Sequence, residues 1–116
     1  MKPVDQTLFD DEGNCLAASV ASLLGLPIEQ VPDLRGPRWW PTLSDWLAPH
    51  GRPVRLARAP ADPAVFVLGL GDGPRGRLHA VVWQGGPDGG RLAHDPHPSR
   101  EGLVGPPFGY VALVPW

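Results

Sequence analysis

Residues 13–25 read Gly-Asn-Cys-Leu-Ala-Ala-Ser-Val-Ala-Ser-Leu-Leu-Gly, and they contain the only cysteine among the 116 residues of the chain. Asn14 is a residue type that caps helices, because its side chain can accept a hydrogen bond from an unpaired backbone N–H. The apolar positions 16, 20, 23 and 24 follow helical spacing, and Gly25 with Pro27 ends the pattern. The stretch therefore predicts a helix over residues 14–25 with Cys15 in its first turn.

Cys15 has two interpretations at this position. The positive end of a helix dipole favours the thiolate, which is the nucleophilic form of cysteine. A free cysteine is also often a small buried hydrophobe, and the helix position alone does not separate the two. The acidic residues Asp10, Asp11 and Glu12 would raise the pKa of a nearby thiol, so we expect them to form a solvated loop that points away from a reactive Cys15.

Composition excludes several classes of protein. Apolar residues make up 42% of the chain and five residues are tryptophan, which is typical of a globular protein, and the length predicts a single domain over residues 1–116. The net charge of −2 without a basic block argues against a nucleic-acid partner. We expect no membrane partner and a cytoplasmic location, because there is no long apolar run and no leader-like start. The lone cysteine cannot form an internal disulfide.

The predicted elements place helices before strands. After the first helix we expect a short helical turn within residues 26–32, an irregular segment over 33–41, and a second helix that opens with Thr42-Leu43-Ser44-Asp45 and ends near Ala48. The strands follow at residues 53–58, 64–70, 78–84, 91–95 and 108–114, with turns at 71–76 and 85–90. This order predicts an α+β fold in which the helix that carries Cys15 packs on a mostly antiparallel sheet of about four to five strands.

His79 and Asp95 provide the remaining parts of a catalytic pattern. A hairpin between the third and fourth predicted strands brings these two residues roughly opposite each other, in reach of a hydrogen bond. Taken alone, His79 fits a satisfied core histidine and Asp95-Pro96 a turn opener. Together with Cys15 they supply a nucleophile, a proton carrier and an orienting carboxylate, which is what a thiol hydrolase needs.

These motifs resemble a known family. The combination of Gln6, Asn14-Cys15, His79 at the start of an apolar strand and Asp95-Pro96 is similar to compact papain-like cysteine peptidases, closest to the bacteriocin leader-processing (double-glycine) type. The resemblance implies that Cys15 is the nucleophile, His79 the general base and then acid, and Asp95 the orienting carboxylate. It also implies that Gln6 and the Cys15 backbone N–H stabilise the oxyanion. The spacing from Gln6 to Cys15 is longer than the usual papain-like spacing.

Other residues leave alternatives open. Trp39 and Trp40 fit either a substrate groove or the core. His94 and His97 flank Asp95, but a fourth ligand at typical zinc spacing is missing, so we expect no metal and no cofactor. Three functions remain: a thiol hydrolase or acyl transferase acting on a peptide or amide substrate, a catalytically inactive papain-like binding or accessory module, and a redox or metal sensor.

Overall fold

Two helices and five strands form the regular structure. The computed structural model describes residues 1–9, 13–50 and 54–113. The helices are α1 (Cys15–Leu24) and α2 (Trp39–Leu47), and the strands are β1 (Val54–Ala57), β2 (Phe66–Asp72), β3 (Leu78–Gln84), β4 (Arg91–His94) and β5 (Gly109–Leu113). Single 3-10 turns occur at Ile28–Gln30, Ala48–His50 and Pro87–Gly89. The predicted α+β class is confirmed.

The strands form one antiparallel sheet in the order β1-β5-β2-β3-β4. β2 lies at its centre, where the apolar run predicted for a buried strand is found: Val67 and Leu68 are fully buried. β3 pairs with β2 along its whole length, from Leu78 opposite Asp72 to Gln84 opposite Phe66. This long ladder fixes the position of the residues at the start of β3.

Helix α1 packs closely against β3 because its buried face consists of small side chains, from Ala17 to Ser22. The Ser19 hydroxyl donates a hydrogen bond to the carbonyl oxygen of Ala80 over 3.3 Å, which ties the helix directly to the strand. Gly25 ends the helix in the left-handed conformation, with φ of 69°. The N-terminus of α1 lies at the start of β3, since Cys15 and His79 line the same cleft.

The main core lies between the helices and the sheet. Its fully buried members come from α1, α2, β2 and β5, and they include Val20, Leu43, Leu47, Leu68 and Val111. Among the described residues, no helix has the length and apolar character needed to cross a membrane.

The predicted start of α2 is wrong. The helix begins at Trp39 rather than at Thr42, so Trp39 and Trp40 are helical and not part of an irregular segment. Pro41 is compatible with this position, because the N–H that proline lacks has no partner in the first turn of a helix. The first helical hydrogen bond runs from the N–H of Thr42 to the carbonyl of Arg38, over 3.1 Å.

Two further predictions need correction. The Asn14 side chain does not cap α1; its Oδ1 instead accepts hydrogen bonds from the N–H groups of Thr7 and Leu8, both over 2.9 Å. The predicted turn at 71–76 begins too early, because Gly71 and Asp72 still pair with β3. Parts of the predicted elements at 53 and 114, together with the acidic run at 10–12, lie outside the described residues.

The hairpin between β3 and β4 ends earlier than predicted. Its last pair is Val82 opposite His94, and an irregularity next to Val82 leaves Ala93 as an extra residue on β4. His79 and Asp95 are therefore not partners in the ladder. Asp95 follows the end of β4, so strand pairing does not fix the direction of its side chain. The side chain turns toward β3 and contacts His79.

Candidate active site

Cys15 is the first residue of α1 and is half-buried. It lines the same cleft as the His79 side chain. Burial raises the pKa of the thiol, but hydrogen bonding to His79 and to the backbone at Ala80 and Leu16, together with the charge of His79, outweighs it, so the pKa lies below its ordinary value. The site therefore favours the thiolate.

His79 lies at the second position of β3 and is buried. Its Nε2–H donates a hydrogen bond to Oδ1 of Asp95 over 2.7 Å, which leaves Nδ1 as the ring nitrogen for Cys15. Burial alone would lower the pKa of the imidazole, but the hydrogen bonds and charges of Asp95 and Cys15 raise it to about 9. The raised pKa of His79 favours the imidazolium, and the charge of the imidazolium in turn favours the Cys15 thiolate.

Asp95 is 2% exposed, and both oxygens of its carboxylate accept hydrogen bonds. Besides His79, it accepts the N–H of His97 at Oδ1 over 2.9 Å and the N–H of Gly102 at Oδ2 over 2.7 Å. Burial raises the pKa of this carboxyl, but the hydrogen bonds from His79 and the two backbone groups lower it below its ordinary value. The loop after β4 thus holds Asp95 ionised and fixed in orientation.

Arg100 joins this loop to the N-terminal segment. Its guanidinium donates to both carboxylate oxygens of Asp5, over 2.6 and 2.9 Å, and to the backbone carbonyl of Asp95. His94 lies on the same side and approaches Asp5 to 3.2 Å, away from the cleft. Within the described residues, no group of three or more histidine, cysteine or acidic side chains is arranged to hold a metal ion.

Gln6 lies in the wall of the cleft beside Cys15 and His79. It is 7% exposed, and its backbone N–H donates to the carbonyl of Pro96 over 3.0 Å. Its side-chain Nε2 donates one hydrogen to the carbonyl of Leu8 over 2.8 Å, which leaves the second hydrogen for another acceptor. Its Oε1 is buried and has no hydrogen-bond partner among the described residues.

An apolar groove of about 500 Å³ opens on one side of Cys15 and His79. Leu78 and Phe108 form part of its lining, and they are 73% and 65% exposed. Trp39 also lines the groove, as one of the two sequence interpretations expects. Both Trp39 and Trp40 pack against the core, and their rings form an edge contact with 5.5 Å between the ring centroids.

A smaller polar pocket of about 70 Å³ also borders Cys15 and His79. Arg75, Arg77 and His97 line it together with Gln6 and Phe9. The sequence analysis missed these basic residues. A signal was present in the turn before β3, since Arg75 and Arg77 come four and two residues before His79.

Comparisons of the chain with protein-family models, with curated proteins and with solved structures gave no significant match. The chemistry of the cleft is therefore the basis for assigning a function. A thiol with a lowered pKa, an imidazole with a raised pKa and a carboxylate bonded to that imidazole can together perform nucleophilic attack and proton transfer on a carbonyl compound.

Proposed function

We propose that this protein is a papain-like thiol hydrolase that cleaves an amide or peptide bond through Cys15. The observation that carries the proposal is the placement of Cys15 and His79 in one cleft, with His79 Nε2 bonded to Asp95 Oδ1 over 2.7 Å behind them. A cysteine with a purely structural role needs neither a charged imidazole nor a buried carboxylate behind it. Three buried or half-buried polar groups in this order support a catalytic role.

The reaction proceeds in two halves. The Cys15 thiolate attacks the carbonyl carbon, a C–S bond forms, and the carbonyl electron pair moves onto oxygen. The backbone N–H of Cys15 and the second hydrogen of Gln6 Nε2 are the donors proposed for this oxyanion. Collapse of the intermediate breaks the C–N bond, and the leaving amine takes a proton from Nδ1 of His79. A thioester on Cys15 remains.

Water completes the cycle by attacking the thioester while His79 accepts its proton. The carboxylic acid leaves and the Cys15 thiolate is restored beside the imidazolium. An amine in place of water would give acyl transfer by the same steps. Asp95 acts throughout as an orienting group, because its hydrogen bond to Nε2 keeps Nδ1 directed at sulfur.

The apolar groove supports a substrate with an apolar acyl part. Leu78 and Phe108 are exposed beside the nucleophile, and Trp39 offers a flat ring in the same groove. Apolar surface of this kind is stabilised when a ligand covers it. We therefore place the acyl half of the substrate in the groove.

An activated ester tests the proposal directly. Mixing the protein with the p-nitrophenyl ester of N-acetyl-leucine is expected to release a burst of p-nitrophenol and to add one acyl group to Cys15, detected by mass spectrometry, followed by steady turnover. Cys15→Ala should abolish the burst and His79→Gln should slow it strongly. Absence of the adduct, or an equal rate of acylation in His79→Gln, would contradict the proposal.

A catalytically inactive papain-like binding module is the second candidate. The observation that favours it is Gln6, whose Nε2 already donates to the Leu8 carbonyl and whose Oε1 is buried without a described partner. Such an amide is less available to an oxyanion than a free one. This candidate predicts that Cys15 is acylated by the ester at most once, with no turnover in the steady state.

A further inference from the structure

Arg100 has a backbone conformation that normally suits glycine. Its φ is 56°, and Asp88 is the other non-glycine residue with positive φ in the part of the chain that the structure describes. A residue with a Cβ is strained in this left-handed region, whereas glycine is not. The N–H of Arg100 closes a tight turn on the carbonyl of His97 over 3.0 Å, a contact that glycine would make equally well. The reason for an arginine at this position therefore lies in its side chain.

The side chain of Arg100 joins two segments that are far apart in the sequence. Its Nη1 and Nη2 donate to the two carboxylate oxygens of Asp5, and Nη1 also donates to the backbone carbonyl of Asp95. A guanidinium suits this arrangement, because it presents paired N–H groups in one plane. The two side chains of the ion pair are each 48% exposed, and a pair of this kind contributes little to stability. What the pair does determine is the relative position of the two segments.

Both segments carry a proposed member of the active site. Asp5 directly precedes Gln6, the proposed oxyanion donor, and Asp95 is the orienting carboxylate. The N–H of Gln6 donates to the carbonyl of Pro96 over 3.0 Å, so a second contact between the same segments lies next to the ion pair. Gln6 is thus held against the loop after β4 at two adjacent points.

The two members depend on Arg100 to different degrees. The Asp95 carboxylate keeps its hydrogen bonds from the N–H groups of His97 and Gly102 when the guanidinium is absent. The segment that carries Gln6 instead loses one of its two contacts with the loop. Loss of the Arg100 side chain should therefore displace Gln6 and leave Asp95 in place.

Further anchors of the N-terminal segment limit this displacement. The N–H of Val4 donates to the Ser22 hydroxyl over 2.9 Å, and His94 approaches Asp5 to 3.2 Å. The segment therefore stays attached without Arg100, and the expected change is a small shift of Gln6. A shift of about 1 Å in a catalytic group is enough to reduce a rate by up to roughly 100-fold.

We propose that Arg100 is a positioning residue that, through Asp5, holds the side-chain amide of Gln6 at the oxyanion. This role rests on the proposed thiol hydrolase function, and it makes acylation depend on a residue that does not line the cleft. Arg100 acts on the rate only through Gln6.

A pair of reactions measured on the full chain tests this role. Arg100→Gly removes the side chain and suits the backbone. Acylation of Cys15 by the p-nitrophenyl ester of N-acetyl-leucine is compared with alkylation by iodoacetamide, which develops no oxyanion. We expect Arg100→Gly to slow acylation about tenfold, less than the roughly 100-fold expected when the donor itself is removed, and to leave alkylation unchanged.

The double variant Gln6→Ala/Arg100→Gly separates positioning from a general structural role. It should be acylated at the same rate as Gln6→Ala alone, because the group that Arg100 positions is then absent. Asp5→Asn weakens the same ion pair from its other side and should also slow acylation without slowing alkylation. Asp88→Gly is the matched control, since it replaces the other charged residue of positive φ at the far end of the β3–β4 hairpin from His79, and it should leave both rates unchanged.

Several results would overturn this role and leave the proposed function intact. They are a wild-type rate of acylation in Arg100→Gly or Asp5→Asn, equal slowing of acylation and alkylation, the same slowing in Asp88→Gly, and an undiminished effect of Arg100→Gly in the Gln6→Ala background. Absence of acylation at Cys15 of the wild-type protein would instead overturn the proposed function, and the role of Arg100 with it.

Discussion

Replacing Asp95 with asparagine removes one charge from the centre of the site at nearly constant shape. The carboxylate accepts hydrogen bonds from His79, His97 and Gly102. In Asp95→Asn the amide oxygen can still accept from His79 and His97, but the amide NH₂ then faces the N–H of Gly102. Two donors meet there, and a buried N–H loses its partner.

The structure gives the size of the effect. An unsatisfied buried donor costs about 1–3 kcal/mol. Burial alone would lower the pKa of His79, but Asp95 and Cys15 raise it from 6.5 to about 9, which corresponds to about 3 kcal/mol of net stabilisation of the imidazolium. Because the folded-state pKa is raised, this stabilisation is complete below pH 6.5 and is lost as the pH rises through about 9.

We therefore expect Asp95→Asn to lower the free energy of unfolding by about 3 kcal/mol at pH 7, and by clearly less at pH 10. The assay is urea unfolding at both pH values, with an NMR titration of the His79 ring, whose pKa should fall below about 9. Asp45→Asn is the control, because Asp45 is exposed on α2, and it should change stability by less than about 0.5 kcal/mol.

Equal stability of Asp95→Asn and Asp45→Asn would refute this reasoning. An unchanged His79 titration, or a loss of stability that is the same at pH 7 and pH 10, would also refute it. The first result would mean that Asp95 is not held by the contacts described above. The others would mean that its charge does not control His79.

The remaining predictions concern the surroundings of the triad. Gln6→Ala should slow acylation by the p-nitrophenyl ester about 100-fold but leave alkylation by iodoacetamide unchanged, because only acylation develops an oxyanion. Equal slowing of both reactions would contradict the role of Gln6 as an oxyanion donor. Gly102→Ala and Gly105→Ala should lower the free energy of unfolding by similar amounts, about 1 kcal/mol each in urea unfolding, because both have positive φ (74° and 78°). The only neighbour of a new Cβ at 102 is the tip of the exposed Leu92 side chain, which can move aside, so a clearly larger loss at 102 would contradict this. Arg100→Gln should speed hydrogen exchange at the Gln6 amide, because it releases Asp5; unchanged exchange would show that the N-terminal segment does not depend on this contact.

Local sequence patterns predicted much of the fold. The helix at Cys15–Leu24 follows from its apolar spacing and from Gly25, and β3 at Leu78–Gln84 matches its predicted bounds. Interactions between distant segments account for the errors. Trp39 begins α2 because it packs on the core, and Asn14 binds the N-terminal segment rather than capping its own helix.

The candidate site also has a part that the sequence predicts and a part that depends on contacts between distant segments. His79 and Asp95 could be paired from the sequence because one hairpin joins them, even though Asp95 lies beyond the ladder. The groove and the polar pocket could not be predicted, since Phe108 and His97 reach the cleft from loops that lack a repeating pattern. Their positions depend on how the chain after β4 returns to the sheet.

The most direct test of the central claim is the pH dependence of Cys15 alkylation by iodoacetamide. An ordinary thiol with a pKa of about 8.5 reacts about 500-fold more slowly at pH 5.5 than at pH 8.5, because the thiolate fraction falls by that factor. Taking the ratio of the two rates for one protein cancels differences in access, and the lone cysteine makes the signal unambiguous. A thiolate paired with His79 predicts a much smaller fall in wild type and a steep fall in His79→Gln. A steep fall in both proteins would contradict the account.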